Sequence, residues 1–204
     1  MFCVIMNSLT DAQRLRHLDA QQKGVYSKSD LRTAFGAMHP EVFVRRVRAL
    51  IRHGILRRFC RGWYVAEEFD LATLSQRISP ESCISFGTVL AQNLIVGTNP
   101  ARQIVAIKTG RPRRYVFDGF SIEHVSVAKE LLFGFSDTDG VQYANTEKAI
   151  IDVLYFHLRG RRFPFDIYSD IDVGKLNPER LRDYLSRYQN PKFVTFAERV
   201  LDLQ

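Results

Sequence analysis

The sequence predicts an α+β protein of two domains, and three observations support this prediction. Segments with helical apolar spacing alternate with short strand-like runs along the chain. Residues 1–66 hold 12 Lys/Arg and 4 Asp/Glu, a net charge of +8, whereas the remaining 138 residues hold 17 and 18, a net charge of −1. A chain of 204 residues that is 46% hydrophobic is long enough for two small domains. We therefore predict domains at residues 1–68 and 69–204.

Two helices are predicted before residue 37. Thr10 can cap a helix over Asp11–Gln22, because its hydroxyl can accept a hydrogen bond from the first turn. A second helix begins at Ser27, and Asp30 three residues later gives the spacing of a capping box. Gly36 ends this helix. The residues expected to face the core are Leu15, Leu18, Leu31, Ala34 and Phe35.

The third predicted helix is amphipathic and strongly basic. It begins at His39-Pro40, since proline fits the first helical position, and it ends at Gly54. The apolar residues fall on one side of the helix, at Phe43, Val44, Val47, Leu50 and Ile51. The opposite side carries Arg45, Arg48 and Arg52, and Arg46 lies at the border.

A basic hairpin is predicted directly after this helix. Its strands are Ile55–Phe59 and Trp63–Val65, and the turn between them is Cys60-Arg61-Gly62. Three helices and a hairpin within about 65 residues predict a winged helix-turn-helix. In such a domain the third helix enters the major groove of DNA, and the hairpin contacts the neighbouring backbone or minor groove.

The distribution of charge agrees with a DNA-binding domain. No Asp or Glu occurs from Val42 through Ala66, although this segment holds seven arginines. A solvated charged face is the ordinary alternative, but such faces usually mix signs, because like charges one turn apart cost about 0.2–0.5 kcal/mol. We predict base contacts for Arg45 and Arg48. Phosphate contacts are predicted for Lys28, Arg52, Arg57, Arg58 and Arg61.

The second domain is predicted to combine helices with a small sheet. Helices are expected at Phe69–Arg77, after the cap Ser79-Pro80-Glu81, from about Thr146, and after Asn177-Pro178. The second of these carries Phe86, Val89, Leu90 and Leu94 at helical spacing. Strands are expected in QIVAIK, RRYVFDGFSIEHVSV and ELLFGF.

Two groups of charged residues stand out in the second domain. Arg111, Arg113 and Arg114 lie between two predicted strands, either as an exposed hairpin tip or as a second nucleic-acid contact. Lys148 and Asp152 are one turn apart on the helix from Thr146, and we predict an ion pair on its solvent-facing side.

Catalytic and metal sites are not predicted. The five histidines form no i,i+4 pair, and Cys3, Cys60 and Cys83 lack zinc-ligand spacing. Asp170 and Asp172 form a DxD that a metal-dependent enzyme could use, but a turn before the final helices explains it better, and no phosphate-binding loop accompanies it. We therefore expect a protein that is not an enzyme and has no cofactor. Unpaired cysteines and the lack of a signal peptide favour the cytoplasm over a membrane.

Several stretches together resemble the AbiEi family, the antitoxin and transcriptional-regulator half of bacterial type IV toxin–antitoxin pairs. The resemblance covers most of the chain and includes RHGILRRFCRGWYV, ISPESCISFGTVLAQNLI, IVAIKTGRPRRY and NTEKAIIDVLYF. RGWYV followed by EKAIID is the most specific combination. The segment HPEVFVRRV is richer in arginine than the family pattern, so a DNA preference does not carry over.

The resemblance implies a repressor that binds inverted repeats in the promoter of its own operon. It also implies that the second domain counteracts, directly or indirectly, a toxin of nucleotidyltransferase fold. DNA-contact positions carried over are Arg45, Arg46, Arg48, Arg52, Arg57, Arg58 and Arg61, while Lys148 and Asp152 match the antitoxin-domain helix without an assigned role. Two alternatives stay open. One is a winged-helix regulator whose second domain senses a ligand or partner and has no toxin, and the other is a nucleic-acid enzyme using Asp170 and Asp172.

Overall fold

The protein is a mixed α+β protein that forms two compact units. The computed structural model describes residues 2–36, 38–97 and 100–203, and all their side chains except those of residues 2–9 and 19. The first unit comprises Met1–Leu74 together with Tyr115–Phe117, and the second comprises Ser75–Arg114 and Asp118–Gln204. The division at Leu74 lies within a helix, a few residues beyond the boundary expected near residue 68.

The first unit contains three helices and a three-stranded antiparallel sheet. Its elements in chain order are α1 (Phe2–Gln22), β1 (Val25–Ser27), α2 (Lys28–Phe35), α3 (Pro40–Arg52), β2 (Arg57–Cys60) and β3 (Trp63–Val65). The strands lie in the order β1-β3-β2, so that β3 pairs with both neighbours. The buried core between the helices and this sheet consists of Leu15, Tyr26, Leu31, Phe35, Phe43, Val47, Leu50 and Leu56.

Local signals explain where two of these helices begin. The capping box at α2 is confirmed, since Asp30 N donates to Ser27 Oγ at 3.0 Å and Ser27 N donates to Asp30 Oδ2 at 2.6 Å. Pro40 occupies the start of α3 as expected. The predicted cap at Thr10 is wrong, because α1 begins at Phe2 and Thr10 lies inside it.

The second unit contains most of a mixed six-stranded sheet, of which Tyr115–Phe117 are grouped with the first unit. Its strands are β4 (Cys83–Ile84), β5 (Gln103–Lys108), β6 (Arg113–Phe117), β7 (Phe120–Ser126), β8 (Phe135–Thr138) and β9 (Val141–Ala144). They lie in the order β6-β7-β5-β4-β9-β8, with β5 parallel to β7 and β4 parallel to β9. The helices are α4 (Leu71–Ile78), α5 (Gly87–Gln92), α6 (Thr146–His157), α7 (Pro178–Leu185) and α8 (Pro191–Val200).

Two predictions for the second unit are wrong. The helix expected after Ser79-Pro80-Glu81 is instead the short strand β4 followed by α5, because a short buried apolar run has no periodicity that separates strand from helix. The strand expected in ELLFGF does not form: Glu130 and Leu131 belong to a 3-10 helix at Lys129–Leu131, residues 132–134 are irregular, and β8 begins only at Phe135. Gly134, with φ +70°, forms the connection between them.

Helix α6 lies at the centre of the second unit. Asn145 caps it, its side chain accepting from Lys148 N at 3.0 Å, and Ala149, Ile150, Val153 and Leu154 are fully buried as predicted. The cap at Asn177 with Pro178 at the start of α7 is also confirmed. Among the described residues, no helix combines the length and the apolar composition that crossing a membrane requires.

Candidate nucleic-acid interface

The amphipathic pattern of α3 divides the helix into a buried and an exposed side. Phe43, Val47 and Leu50 are at most 4% exposed and pack in the core of the first unit. Val44 and Ile51, expected on the same side, lie at its edge with 40% and 37% of their surface exposed. The predicted buried side of α3 is therefore right for Phe43, Val47 and Leu50 and wrong for Val44 and Ile51.

The exposed side of α3 carries the arginines that the sequence predicted for DNA contact. Arg45, Arg48 and Arg52 are all exposed. Within the part of the chain that the structure describes, none of the three forms an ion pair with a carboxylate. A groove of about 460 Å³ runs along this side of the helix, and its lining residues are Pro40, Glu41, Val44, Arg45, Arg48 and Arg52. The exposed side is therefore cationic and open to a partner.

Arg46 has a different role from its neighbours on α3. Its guanidinium donates from Nε to Asp11 Oδ2 at 2.7 Å and from Nη2 to Asp11 Oδ1, and it lies 5.0 Å from the centre of the Phe35 ring. Asp11 on α1 is 1% exposed. Because its guanidinium is bound to the buried carboxylate of Asp11, Arg46 ties α1 to α3 and does not extend to solvent with Arg45 and Arg48.

Arg57 is also held within the protein. Its Nη2 donates to the carbonyl oxygen of Glu67 at 3.0 Å, and its guanidinium lies 5.9 Å from the centre of the Phe69 ring. The side chain is half-buried. Arg57 therefore connects β2 to the segment that follows β3 and, like Arg46, is bound within the protein.

The hairpin β2–β3 presents two further arginines. Arg58 on β2 and Arg61 in the turn are exposed, and Gly62, with φ +85°, allows the tight reversal. Lys28 N donates to the carbonyl oxygen of Gly62 at 2.8 Å, which places the exposed Lys28 beside the turn. The hairpin tip and the start of α2 therefore form a second cationic area of the first unit.

The three arginines predicted between strands of the second unit are exposed but do not form a hairpin tip. Arg111 precedes β6, and Arg113 and Arg114 begin it. β5 and β6 are not paired, because β7 lies between them in the sheet. The Arg161 hydrogen bonds lower the pKa of Glu123 on β7, and Arg114 adds to this effect.

Lys148 and Asp152 form an ion pair, but the predicted position on the solvent-facing side of α6 is wrong. Both residues are fully buried. Lys148 Nζ donates to Asp152 Oδ1, and Ser85 Oγ donates to Asp152 Oδ2 at 2.7 Å. The ammonium also contacts Tyr188 Oη at 3.2 Å and lies 4.9 Å from the centre of the Phe133 ring. Burial raises the pKa of Asp152, against the opposing effect of the Lys148 charge.

The residues considered for a metal site lie in a turn. Asp170 Oδ2 accepts from Asp166 N at 2.7 Å, and Asp172 pairs with Lys175 at 3.0 Å. No group of three or more His, Cys, Asp or Glu side chains is placed to hold a metal ion among the described residues. Cys60 and Cys83 are free thiols, whereas the side chain of Cys3 lies outside the described part.

Comparison with known proteins finds a likeness in fold. No protein-family model matches the chain, and no curated protein is significantly similar to it in sequence. The crystal structure of the RV2827C protein from Mycobacterium tuberculosis superimposes with a TM-score of 0.62 over 95% of this chain and 77% of that chain, at 16% sequence identity. The two chains share a fold. At 16% identity, the shared fold does not indicate a shared activity.

Proposed function

We propose that the protein is a DNA-binding transcriptional repressor whose first unit is a winged helix-turn-helix. The observation that carries this proposal is the exposed side of α3, where Arg45, Arg48 and Arg52 have no carboxylate partner among the described residues. The element order α1-β1-α2-α3-β2-β3, with β2 and β3 as the wing, supports it. In this arrangement α3 is the helix that enters the major groove.

The electrostatics of α3 favour a polyanionic partner over a solvated face. Arg48 and Arg52 are one turn apart, and like charges at this spacing cost about 0.2–0.5 kcal/mol on an isolated helix. Nearby acids would relieve this repulsion, yet Glu41 is the sole acid of the helix sequence. Phosphates of a bound duplex would supply the missing negative charge, and binding would release their counterions.

A gel-shift titration against salt tests the proposal. The probe is a duplex from the region upstream of the protein's own gene, and the competitor is an unrelated duplex of equal length. Six of the residues predicted to contact DNA are exposed, namely Lys28, Arg45, Arg48, Arg52, Arg58 and Arg61. If all six contact phosphate, the logarithm of affinity should fall against the logarithm of salt with a slope of about −5. Affinity that is indifferent to salt would refute the proposal.

A charge-matched pair of variants separates a specific interface from overall charge. Replacement of Arg45, Arg48 and Arg52 by alanine should abolish the shifted band at concentrations where the wild type is saturated. The control replaces Arg162, Arg182 and Arg199, which are exposed in the second unit, and removes the same charge. Equal loss of binding in both variants would show that net charge alone is responsible.

We further propose that the protein is the antitoxin of a type IV pair, as the resemblance to the AbiEi family suggests. An adjacent or overlapping reading frame for a nucleotidyltransferase-like protein would favour this assignment. Co-expression tests it directly: the neighbouring protein alone should arrest growth, and this chain should restore it. Rescue by the DNA-binding triple variant would assign neutralisation to a function separate from repression.

A second candidate function is a regulator whose second unit binds a small effector and has no toxin. A polar cavity of about 500 Å³ in the second unit favours this candidate. Its lining includes Gln92, Asn93, Tyr143, Asn145 and Arg180. A metabolite that raises the melting temperature of the wild type, but not of an Arg180→Ala variant, and that changes DNA affinity would support it.

A further inference from the structure

The exposed side of α3 is not uniformly basic. Val44 has 40% of its surface exposed and lines the same groove as Arg45, Arg48 and Arg52. A single exposed valine is ordinary on a protein surface. This one is distinguished by its place among arginines on the helix that the proposed function assigns to the major groove.

The position of Val44 along α3 suits contact with base edges. A recognition helix contacts bases mainly with its N-terminal residues, and Val44 lies in the second turn of a helix that begins at Pro40. Arg45 is adjacent to it, and Arg48 follows one turn later. The rise from Val44 to Arg48 is about 6 Å, which is less than two base steps of about 3.4 Å.

The chemistry of the major groove offers one apolar feature to such a residue. Thymine carries a C5-methyl group there, whereas the other bases present only hydrogen-bond donors and acceptors. Arginine pairs bidentately with guanine on the same edge. A valine that lines the same groove as arginine side chains therefore matches a site in which a thymine lies close to guanine.

We propose that Val44 reads a thymine methyl group, within two base pairs of a guanine bound by Arg45 or Arg48. This inference rests on the proposed DNA-binding function and adds sequence discrimination to it. Phosphate contacts by Lys28, Arg58 and Arg61 would set affinity and register. Val44 would then be a specificity-determining residue that the charge pattern of the sequence does not reveal.

The test removes the methyl group from the DNA and the side chain from the protein. A preferred duplex is first selected from a random library with the full wild-type chain. Each thymine in it is then replaced singly by deoxyuridine, which lacks only the methyl group, and dissociation constants are measured. Loss of a buried methyl contact should weaken wild-type binding about fourfold at one or two positions. The Val44→Ala variant should show no effect at those positions.

Ile51→Ala is the matched control. Ile51 lies on the same helix, is 37% exposed, and is not among the residues lining the groove. This variant should retain the fourfold uridine effect. Val44→Asn, which has a similar volume but no methyl group, provides a second variant should Val44→Ala be poorly folded, and it should reduce the uridine effect.

The outcomes separate the inference from the proposed function. If the wild type selects a sequence but deoxyuridine has no effect, or the same effect in Val44→Ala, the inference fails while DNA binding stands. Selection of no preferred sequence, with salt-sensitive binding to any duplex, also overturns the inference alone. If the chain binds no duplex, both fail.

Discussion

The buried ion pair of α6 gives the sharpest test of how the second unit is stabilised. Lys148 and Asp152 are both fully buried, so removing one partner leaves an uncompensated charge away from water. Such a change costs about 3–5 kcal/mol, a large part of the 5–15 kcal/mol by which domains of this kind are stable. We therefore expect Asp152→Asn and Lys148→Met each to lower the free energy of unfolding of the second unit by about 3–5 kcal/mol.

The double variant distinguishes a buried pair from two independent contacts. Replacing both charges removes the desolvation cost together with the attraction, and buried pairs replaced in this way are often neutral or more stable. The amide oxygen that Asp152→Asn introduces can still accept from Ser85, whose Oγ lies 2.7 Å from the native carboxylate. We therefore expect Lys148→Met/Asp152→Asn to lie within about 1 kcal/mol of the wild type, far from the sum of the single effects.

The stability of Lys148→Met should depend on pH with the sign expected for a buried, uncompensated carboxyl group. Without the ammonium, burial should hold the pKa of Asp152 still further above its unfolded value. The folded chain then keeps a proton that the unfolded chain has lost, so stability falls as pH rises between the two pKa values. The expected slope is about 1.4 kcal/mol per pH unit.

Urea unfolding can follow the two units separately. The sequence contains one tryptophan, Trp63, which lies in the first unit, so its fluorescence reports that unit. Hydrogen exchange of peptides from α6 reports the second unit. The expected result is faster exchange in α6 of each single variant, with the Trp63 transition unchanged. Additive single effects, or losses below about 1 kcal/mol, would refute the buried pair.

Three further predictions concern other sites. Burial lowers the pKa of His124 to about 4, so the folded protein loses stability as pH falls from about 6.5 to about 4. In urea unfolding over that pH range, the wild type should lose about 3 kcal/mol more stability than a His124→Gln variant. Arg46→Met should destabilise the first unit by about 2–4 kcal/mol, seen by tryptophan fluorescence, and leave the salt slope of DNA binding unchanged. Gly24→Ala should lower the melting temperature much more than Gly36→Ala, because both glycines have positive φ but a methyl group at Gly24 would collide with the Glu68 carbonyl.

Local sequence signals predicted the features that depend on neighbouring residues. The capping box at Ser27, the proline at the start of α3 and the cap at Asn177 each involve groups within three residues of one another. The strand β1 was not predicted, because three residues carry no periodicity, and β1 exists through its pairing with β3 about 40 residues later. Pairing partners at that distance are invisible to local patterns.

The burial of Lys148 and Asp152 shows the same limit more sharply. A lysine and an aspartate four residues apart give the same pattern on a solvated and on a buried side of a helix. The groups that bury this pair come from elsewhere in the chain, with Ser85 67 residues from Asp152 and Tyr188 40 residues from Lys148. One feature of the sequence does indicate that α6 is buried on all sides: its apolar residues occupy more than one side of the helix.

For the arginines of the candidate interface, the sequence and the structure predict different salt dependences of DNA binding. From the sequence, Lys28 and seven arginines are equally good candidates for phosphate contact, because all eight carry a positive charge. Eight phosphate contacts would give a salt slope of about −7. The structure removes two of them, because Arg46 is bound to Asp11, 35 residues away, and Arg57 to the carbonyl of Glu67. With these six contacts alone the slope should be no steeper than about −5, and it should not change in Arg46→Met. A wild-type slope near −7 that becomes about one unit shallower in Arg46→Met would mean that Arg46 leaves Asp11 when DNA binds.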